Sequence, residues 1–354
     1  MQTATHELSK LVEEILKLNA TKEGTRVVLV TTHVYDERMA DAFRIALNNL
    51  NVDFLRLILP PKATPDHRFG NPLTKYALEV MKTADLVVSL SSYTWWPMAY
   101  APSPVGKIWM HSDEFTEVMM SKIRWLDVMI PEEAMRRLFP TSAMIHRTNE
   151  GAKAMAKAKE IRITSSAGTD LVLRKDGKKG HRQCGIANEP GMWDNYGFGL
   201  VACGPLKNSA NGRLVLQPGD YMLQLMMEVK DKVEITMKDG RITKIEGGFS
   251  AKILEKWLAQ WKHPDSYYPA HIGWGTHLEG AIWVGSREFT VADAESYPGI
   301  MQIAFGRNVF DTTHPMVGLA GQNVTPSHLD LQCLSTSFYL DGEPVVKEGQ
   351  IVHP

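Results

Sequence analysis

Ala84-Asp85-Leu86-Val87-Val88-Ser89-Leu90 is a short apolar run with branched residues at its centre. It is too brief for an ordinary helix and has the make-up of a strand buried on both faces. Similar runs flank it. Arg26 to Thr31 and Val52 to Leu59 read as strands before it, and Gly106 to Met110 as a fourth after it. Helical spacing fills the gaps. Leu8, Leu11, Ile15 and Leu18 mark a first helix. Asp36 can cap a second that carries Met39, Phe43, Ala46, Leu47 and Leu50 on one face. Leu73 to Met81 is a third, and Pro131 to Phe139 and Asn149 to Ala158 close the series. Pro60, Pro61 and Pro65 make the intervening loop irregular. Strands alternating with helices predict an α/β unit around a doubly wound, mostly parallel sheet.

Near residue 160 the pattern changes. Ile161 to Ser165 and Thr169 to Leu173 read as a hairpin turning at Ala167-Gly168. Leu214 to Leu216, Val233 to Met237 and Ile242 to Ile245 are strand-like, and Asp239-Gly240 between the last two is a strong hairpin signal. Asp341-Gly342 marks another. One helix, Ala251 to Trp261, interrupts them. The expectation is a first domain over 1–150 and a β-rich α+β domain over 151–354.

Composition narrows the function. The 354 residues are 44% hydrophobic and 22% charged, enough to bury a large core. Lys+Arg 39 against Asp+Glu 40 leaves a net charge of −1, so no basic field points to nucleic acid. Cys184, Cys203 and Cys333 are odd in number and widely spaced, and fit neither a disulfide framework nor a C-x2-C zinc site. Nowhere is there an 18-residue apolar run, and the acidic first helix is not a signal peptide, so no membrane role and a cytoplasmic location are expected.

Four stretches carry candidate chemistry. In Thr325-Pro326-Ser327-His328-Leu329-Asp330 a histidine and an acid stand two apart. In an extended strand they share a face, offering two-thirds of a 2-His-1-carboxylate metal site. In His271-Ile272-Gly273-Trp274-Gly275-Thr276-His277 either histidine could complete it, and spacing does not choose. The glycines there permit a tight turn or a close backbone approach. Ala187 to Asn195, with Trp193 and Asp194, reads as a polar loop fit for ligand contacts. His111 follows the fourth predicted strand, where ligand residues gather in open α/β sheets, and is a candidate base.

Together these motifs resemble the 2,5-dihydroxypyridine 5,6-dioxygenases, mononuclear Fe(II) ring-opening enzymes with the fold of M29 aminopeptidases of the aminopeptidase T type. The matching pieces are Ala84 to Val88, His111-Ser112, Asn188 to Gly191 with Trp193-Asp194, Gly247-Gly248-Phe249, His271 to Gly275, Thr325-Pro326 with His328 and Asp330, and Tyr339 to Asp341. The resemblance implies iron ligands at His271, His328 and Asp330, and a catalytic histidine at His111. It selects His271 over His277. It implies a homo-oligomer acting with O2 on a small aromatic or N-heterocyclic substrate. Two departures stand out: Asn195 and Gln183 are neutral amides where the family carries a histidine and a glutamate.

The implied reaction is ring cleavage of a hydroxylated pyridine with insertion of both oxygen atoms. His111 would carry the phenolic proton. Trp193 or Trp274 would stack on the ring, and Asp194, Asn195 and Gln183 would contact its substituents. A two-metal aminopeptidase is the alternative; His271 and Gln302 stand where those enzymes carry a glutamate and a histidine, which counts against it. A non-catalytic protein of the same fold is another. A nucleotide enzyme is disfavoured because no G-x-G-x-x-G or G-x4-G-K-[ST] follows a strand.

Overall fold

The computed structural model describes residues 2–32, 37–59, 75–90, 119–308, 321–325 and 327–352. Among these, the residues through Phe139 together with Cys184–Gly197 form one compact unit, and Pro140–Gln183 with the residues from Phe198 onward form a second.

The Ala84 to Leu90 run supplies the middle strand of the first unit. Leu86–Ser89 is wholly buried. It lies third in a five-stranded sheet with Asp53–Leu59 and Arg26–Thr32 on one side and Arg124–Asp127 and Trp193–Asn195 on the other. Every pairing is parallel, with Val28 opposite Val87 and Val87 opposite Trp125. Helices Gln2–Leu18 and Glu37–Asn49 bury Ile15, Leu16, Phe43, Ala46 and Leu47. The predicted strand Gly106 to Met110 and the proposed cap Asp36 lie outside the described residues.

Trp193–Asn195 corrects the loop reading of that stretch. Three polar-to-aromatic residues carry no strand signal; they become a strand by pairing along Trp125–Asp127. Hydrogen bonds hold the excursion there. The Trp193 indole donates to Asp127 at 2.8 Å. The Asp194 carboxylate accepts backbone N–H groups from Cys184, Ile186 and Asn195. The Asn19 side chain accepts the Ala187 N–H at 2.6 Å and donates to the Gly185 carbonyl at 3.3 Å.

The second unit holds two antiparallel sheets. The eight-stranded sheet contains the predicted hairpins. Asp239 and Gly240 both have positive φ, 51° and 85°, the geometry of the two-residue turn that Asp-Gly favours. The helix predicted from Asn149 begins earlier, at Ser142, where the Thr141 side chain caps it by accepting the Met144 N–H at 3.2 Å.

The seven-stranded sheet runs Met227–Glu228, Tyr221–Met222, His328–Cys333, Met301–Gly306, Pro269–Gly275, Leu200–Cys203, His181–Gln183. Its alternate residues Val201, Cys203, Ile272, Trp274, Ile303, Phe305, Leu329 and Leu331 share one core with Ile161, Ile163, Leu171, Ile235 and Phe338 of the other sheet. The period of two sends the residues between them to the opposite face. That face carries His271, His328 and Asp330.

Candidate metal centre

Two cross-strand registers build the site. His271 stands opposite Ala304, and Ala304 opposite Asp330. Gly306 stands opposite His328. The strand Pro269–Gly275 is fully buried and is no turn; of the two roles open to its glycines, the structure takes close approach. A Cβ on Gly273 would lie 1.9 Å from the Val201 carbonyl oxygen. Strands lie about 4.8 Å apart, so His271 and Asp330 rise from backbones roughly 10 Å apart. Only the methyl of Ala304 stands between, and the imidazole and carboxylate reach toward each other over it.

They converge. His271 Nε2 is 3.3 Å from Asp330 Oδ1, and His328 Nε2 is 3.5 Å from Asp330 Oδ2. One ligand atom from each of the three residues lies within 4.8 Å of the others, and all three residues are buried. Among the described residues this is the group of histidines, cysteines and acids that could hold a metal ion. His277, the other candidate, accepts the Gly280 N–H on its Nδ1 at 3.1 Å and is not part of it.

Neighbours set the electrostatics. The Arg307 carbonyl lies 2.8 Å from His328 Nδ1. A carbonyl can only accept, so Nδ1 carries the proton and Nε2 of the neutral ring presents its lone pair to the cluster. Burial pushes the His271 imidazolium down, beyond what Asp330 restores. Burial also opposes charge on His328, but the Asp330 charge and hydrogen bonds to Asp330 and Arg307 outweigh it and hold it above the usual histidine range. Burial disfavours the Asp330 anion, yet the two imidazoles hold it well below the ordinary carboxylate range. Glu295, in the helix Val291–Ser296, is held well above that range, by burial first and then by the charge of Asp330. Of these two buried carboxyls, Asp330 is therefore the ionised one.

Sequence reasoning missed two residues here. Glu295 is one. Gln224 is the other: its side-chain amide hydrogen-bonds both the main chain and the carboxylate of Asp330. No motif surrounds either, and only the coordinates find them.

The other predicted contact residues scatter. Gln183, opposite Leu200, which is two along from Ala202, shares the side of the sheet that carries His271 and Asp330; it is buried, and its Nε2 has no hydrogen-bond partner. Gln302 accepts from Gln332 at 3.2 Å. Trp274 is three residues from His271 in a strand, so it points the other way. It is buried in the core with its ring 5.0 Å from that of Phe338. Trp274→Ala is expected to lower unfolding stability by about 3–5 kcal/mol, read by chemical denaturation. Unchanged stability with a raised KM would put the indole in the substrate's path instead. In the first unit, Trp193 is bonded to Asp127, and both Asp194 oxygens serve backbone N–H groups rather than a ligand. Asn195 is buried with Oδ1 unpartnered. His111 lies outside the described residues.

Comparison with known proteins identifies the family. The family model for 2,5-dihydroxypyridine 5,6-dioxygenase matches residues 7–353. The chain is 27% identical over 355 residues to the 2,5-dihydroxypyridine 5,6-dioxygenase of Pseudomonas putida strain KT2440, covering 100% of this chain and 98% of that protein. It superposes on the solved 2,5-dihydroxypyridine dioxygenase from Pseudomonas putida KT2440 with a TM-score of 0.85 at 26% identity, over 99% of this chain and 98% of that one. Wild-type AmpT from Thermus thermophilus matches at a TM-score of 0.67 and 14% identity over 98% of this chain and 99% of its own, a likeness of fold alone. With residues 7–353 matched by the family model, the chain belongs to the 2,5-dihydroxypyridine 5,6-dioxygenase family.

Proposed function

We propose that this chain is an Fe(II)-dependent dioxygenase that opens the ring of 2,5-dihydroxypyridine or a close analogue and inserts both atoms of O2, with His271, His328 and Asp330 as the iron ligands. One observation carries the reading: two imidazole nitrogens and a carboxylate converge on one buried face. The donor set fits the ion. It is the 2-His-1-carboxylate arrangement that suits ferrous iron and leaves positions open. Asp330 Oδ1 is buried and takes no hydrogen bond. When bound, the iron supplies a site at which the ionised ring hydroxyl and O2 can exchange electrons.

The chain's own residues do the rest. The Arg307 carbonyl fixes the His328 tautomer. Burial keeps water from competing for the face and strengthens the charge interactions within it. His111 takes and returns the phenolic proton of the ring. Gln183 and Asn195, each buried with an unpartnered amide atom, contact ring substituents by hydrogen bonds. Neither can accept a proton at neutral pH, so proton transfer falls to the histidine. The chain acts as a homo-oligomer in the cytoplasm.

The test is an oxygen electrode with anaerobically Fe(II)-loaded protein, a panel of dihydroxypyridines and catechols, and mass spectrometry of the products. Oxygen uptake with 2,5-dihydroxypyridine, both product oxygens labelled from 18O2, and one iron per chain is the expected result. Two divalent ions per chain with peptide hydrolysis would replace this reading with a metallo-aminopeptidase.

A further inference from the structure

Resting on that reading and deepening it, we propose that Gln224 is the residue that aims Asp330: its amide holds one carboxylate oxygen and leaves the other for the metal. A strand that stops short places it there. Tyr221–Met222 pairs antiparallel with His328–Cys333, Tyr221 opposite Gln332 and Met222 opposite Leu331. One more step of that ladder would bring residue 223 opposite Asp330. The chain turns instead. Leu223–Leu225 is a single 3-10 turn, closed by Met226 at φ 49°.

The side chain of Gln224, buried in that turn, takes over the missing rung. Its Oε1 accepts the Asp330 N–H, as a strand carbonyl would. Its Nε2 donates to Asp330 Oδ2. One planar amide thus restrains the main chain and the side chain of the same residue. Asp330 can then turn neither at its backbone nor about its carboxylate without breaking a buried bond.

The choice of amide has an electrostatic meaning. A lysine or arginine here would neutralise Asp330 and weaken its pull on a cation. A glutamine supplies the directed N–H without the charge. The oxygen it engages becomes the poorer donor. Oδ1, buried and without a hydrogen bond, remains the free one, 3.3 Å from His271 Nε2. Asp330 therefore offers the metal one oxygen, and coordination positions that a two-oxygen grip would fill stay open to substrate and O2.

Two variants separate this role from plain support of the sheet edge. Gln224→Met keeps the volume and loses both bonds. Gln224→Glu keeps the acceptor for the Asp330 N–H and replaces the neutral amide donor with a second acid against the Asp330 carboxylate. Metal-free full-length protein is titrated anaerobically with Fe(II), and in parallel with Co(II), against a competing chromophoric chelator. Thermal unfolding of each metal-free protein is recorded alongside. The wild type is expected to bind one metal per chain, and both variants to bind it about 10–100-fold more weakly, the usual cost of losing a partner behind a metal ligand. Gln224→Glu is expected to melt below the wild type without metal, because two buried acids then share one site. Affinity within threefold of wild type, or tighter, in either variant that folds overturns the proposal. Should Gln224→Glu not fold, Gln224→Met alone decides. Should Gln224→Met not fold, Gln224→Glu alone decides. A wild type that binds no metal sinks the metal site itself; a wild type that binds while the variants match it sinks only the role of Gln224.

Discussion

His328→Ala is expected to leave the protein without stoichiometric iron and without O2 uptake on 2,5-dihydroxypyridine. The reason is geometric. Three ligand atoms within 4.8 Å of one another form a face; two do not. Of the three proposed ligands His328 is the best held, because the Arg307 carbonyl fixes which nitrogen faces the cluster. The loss should exceed the roughly 10–100-fold cost of removing a partner that only supports a ligand. The metal-free variant should be less stable too. Asp330 keeps its charge in the interior against two imidazoles, and deleting one leaves a buried carboxylate with half its compensation. Iron per chain by elemental analysis and rate at an oxygen electrode give the two readouts. Full activity in His328→Ala would end the three-ligand reading.

How much of this was legible beforehand depended on length and on parity. The Ala84 to Leu90 run announces a buried parallel strand because such strands are apolar on both faces, and it lies at the middle of the first sheet. Trp193–Asn195 gave no such signal; a three-residue edge strand owes its form to one neighbour and to hydrogen bonds from distant backbone. The seven-stranded sheet hid for the same reason. Its outer strands are two or three residues long, and Pro269–Gly275 carries a proline and two glycines that discourage a strand reading.

The site itself split along similar lines. His328 and Asp330 declare themselves because a spacing of two means one face. His271 does not, since partners in separate strands meet through register, which spacing alone cannot express; the family resemblance singled it out, and its register places it beside Asp330. Trp274 is one of two tryptophans offered to stack on the ring, in a stretch whose glycines allow either a turn or a close backbone approach. Once that stretch is a strand, an odd offset from His271 puts the indole in the core. Gln224 is invisible at any reading of the chain, because its meaning lies in a rung of ladder that the backbone leaves out.

Ala304→Val is expected to abolish tight metal binding while touching no proposed ligand. Ala304 is the middle member of the row His271–Ala304–Asp330. Its methyl is what allows an imidazole and a carboxylate from strands on either side to close to 3.3 Å. Valine suits a strand, so the backbone has no reason to depart from its course. Two added methyls on the metal side of the sheet must then displace either the His271 ring or the Asp330 carboxylate. Overpacking of this kind costs about 1–3 kcal/mol of stability, which a protein this size survives. A displacement near 1 Å at the ligands is far more damaging to coordination, whose distances tolerate only about 0.2 Å. Metal affinity should therefore fall by more than about 100-fold, beyond the range for losing a supporting partner, while the melting temperature of the metal-free protein drops only modestly. Chelator competition measures the first and thermal unfolding the second. Wild-type affinity in Ala304→Val would mean that the ligands do not meet across this row, and the placement of the metal between these strands would have to be abandoned.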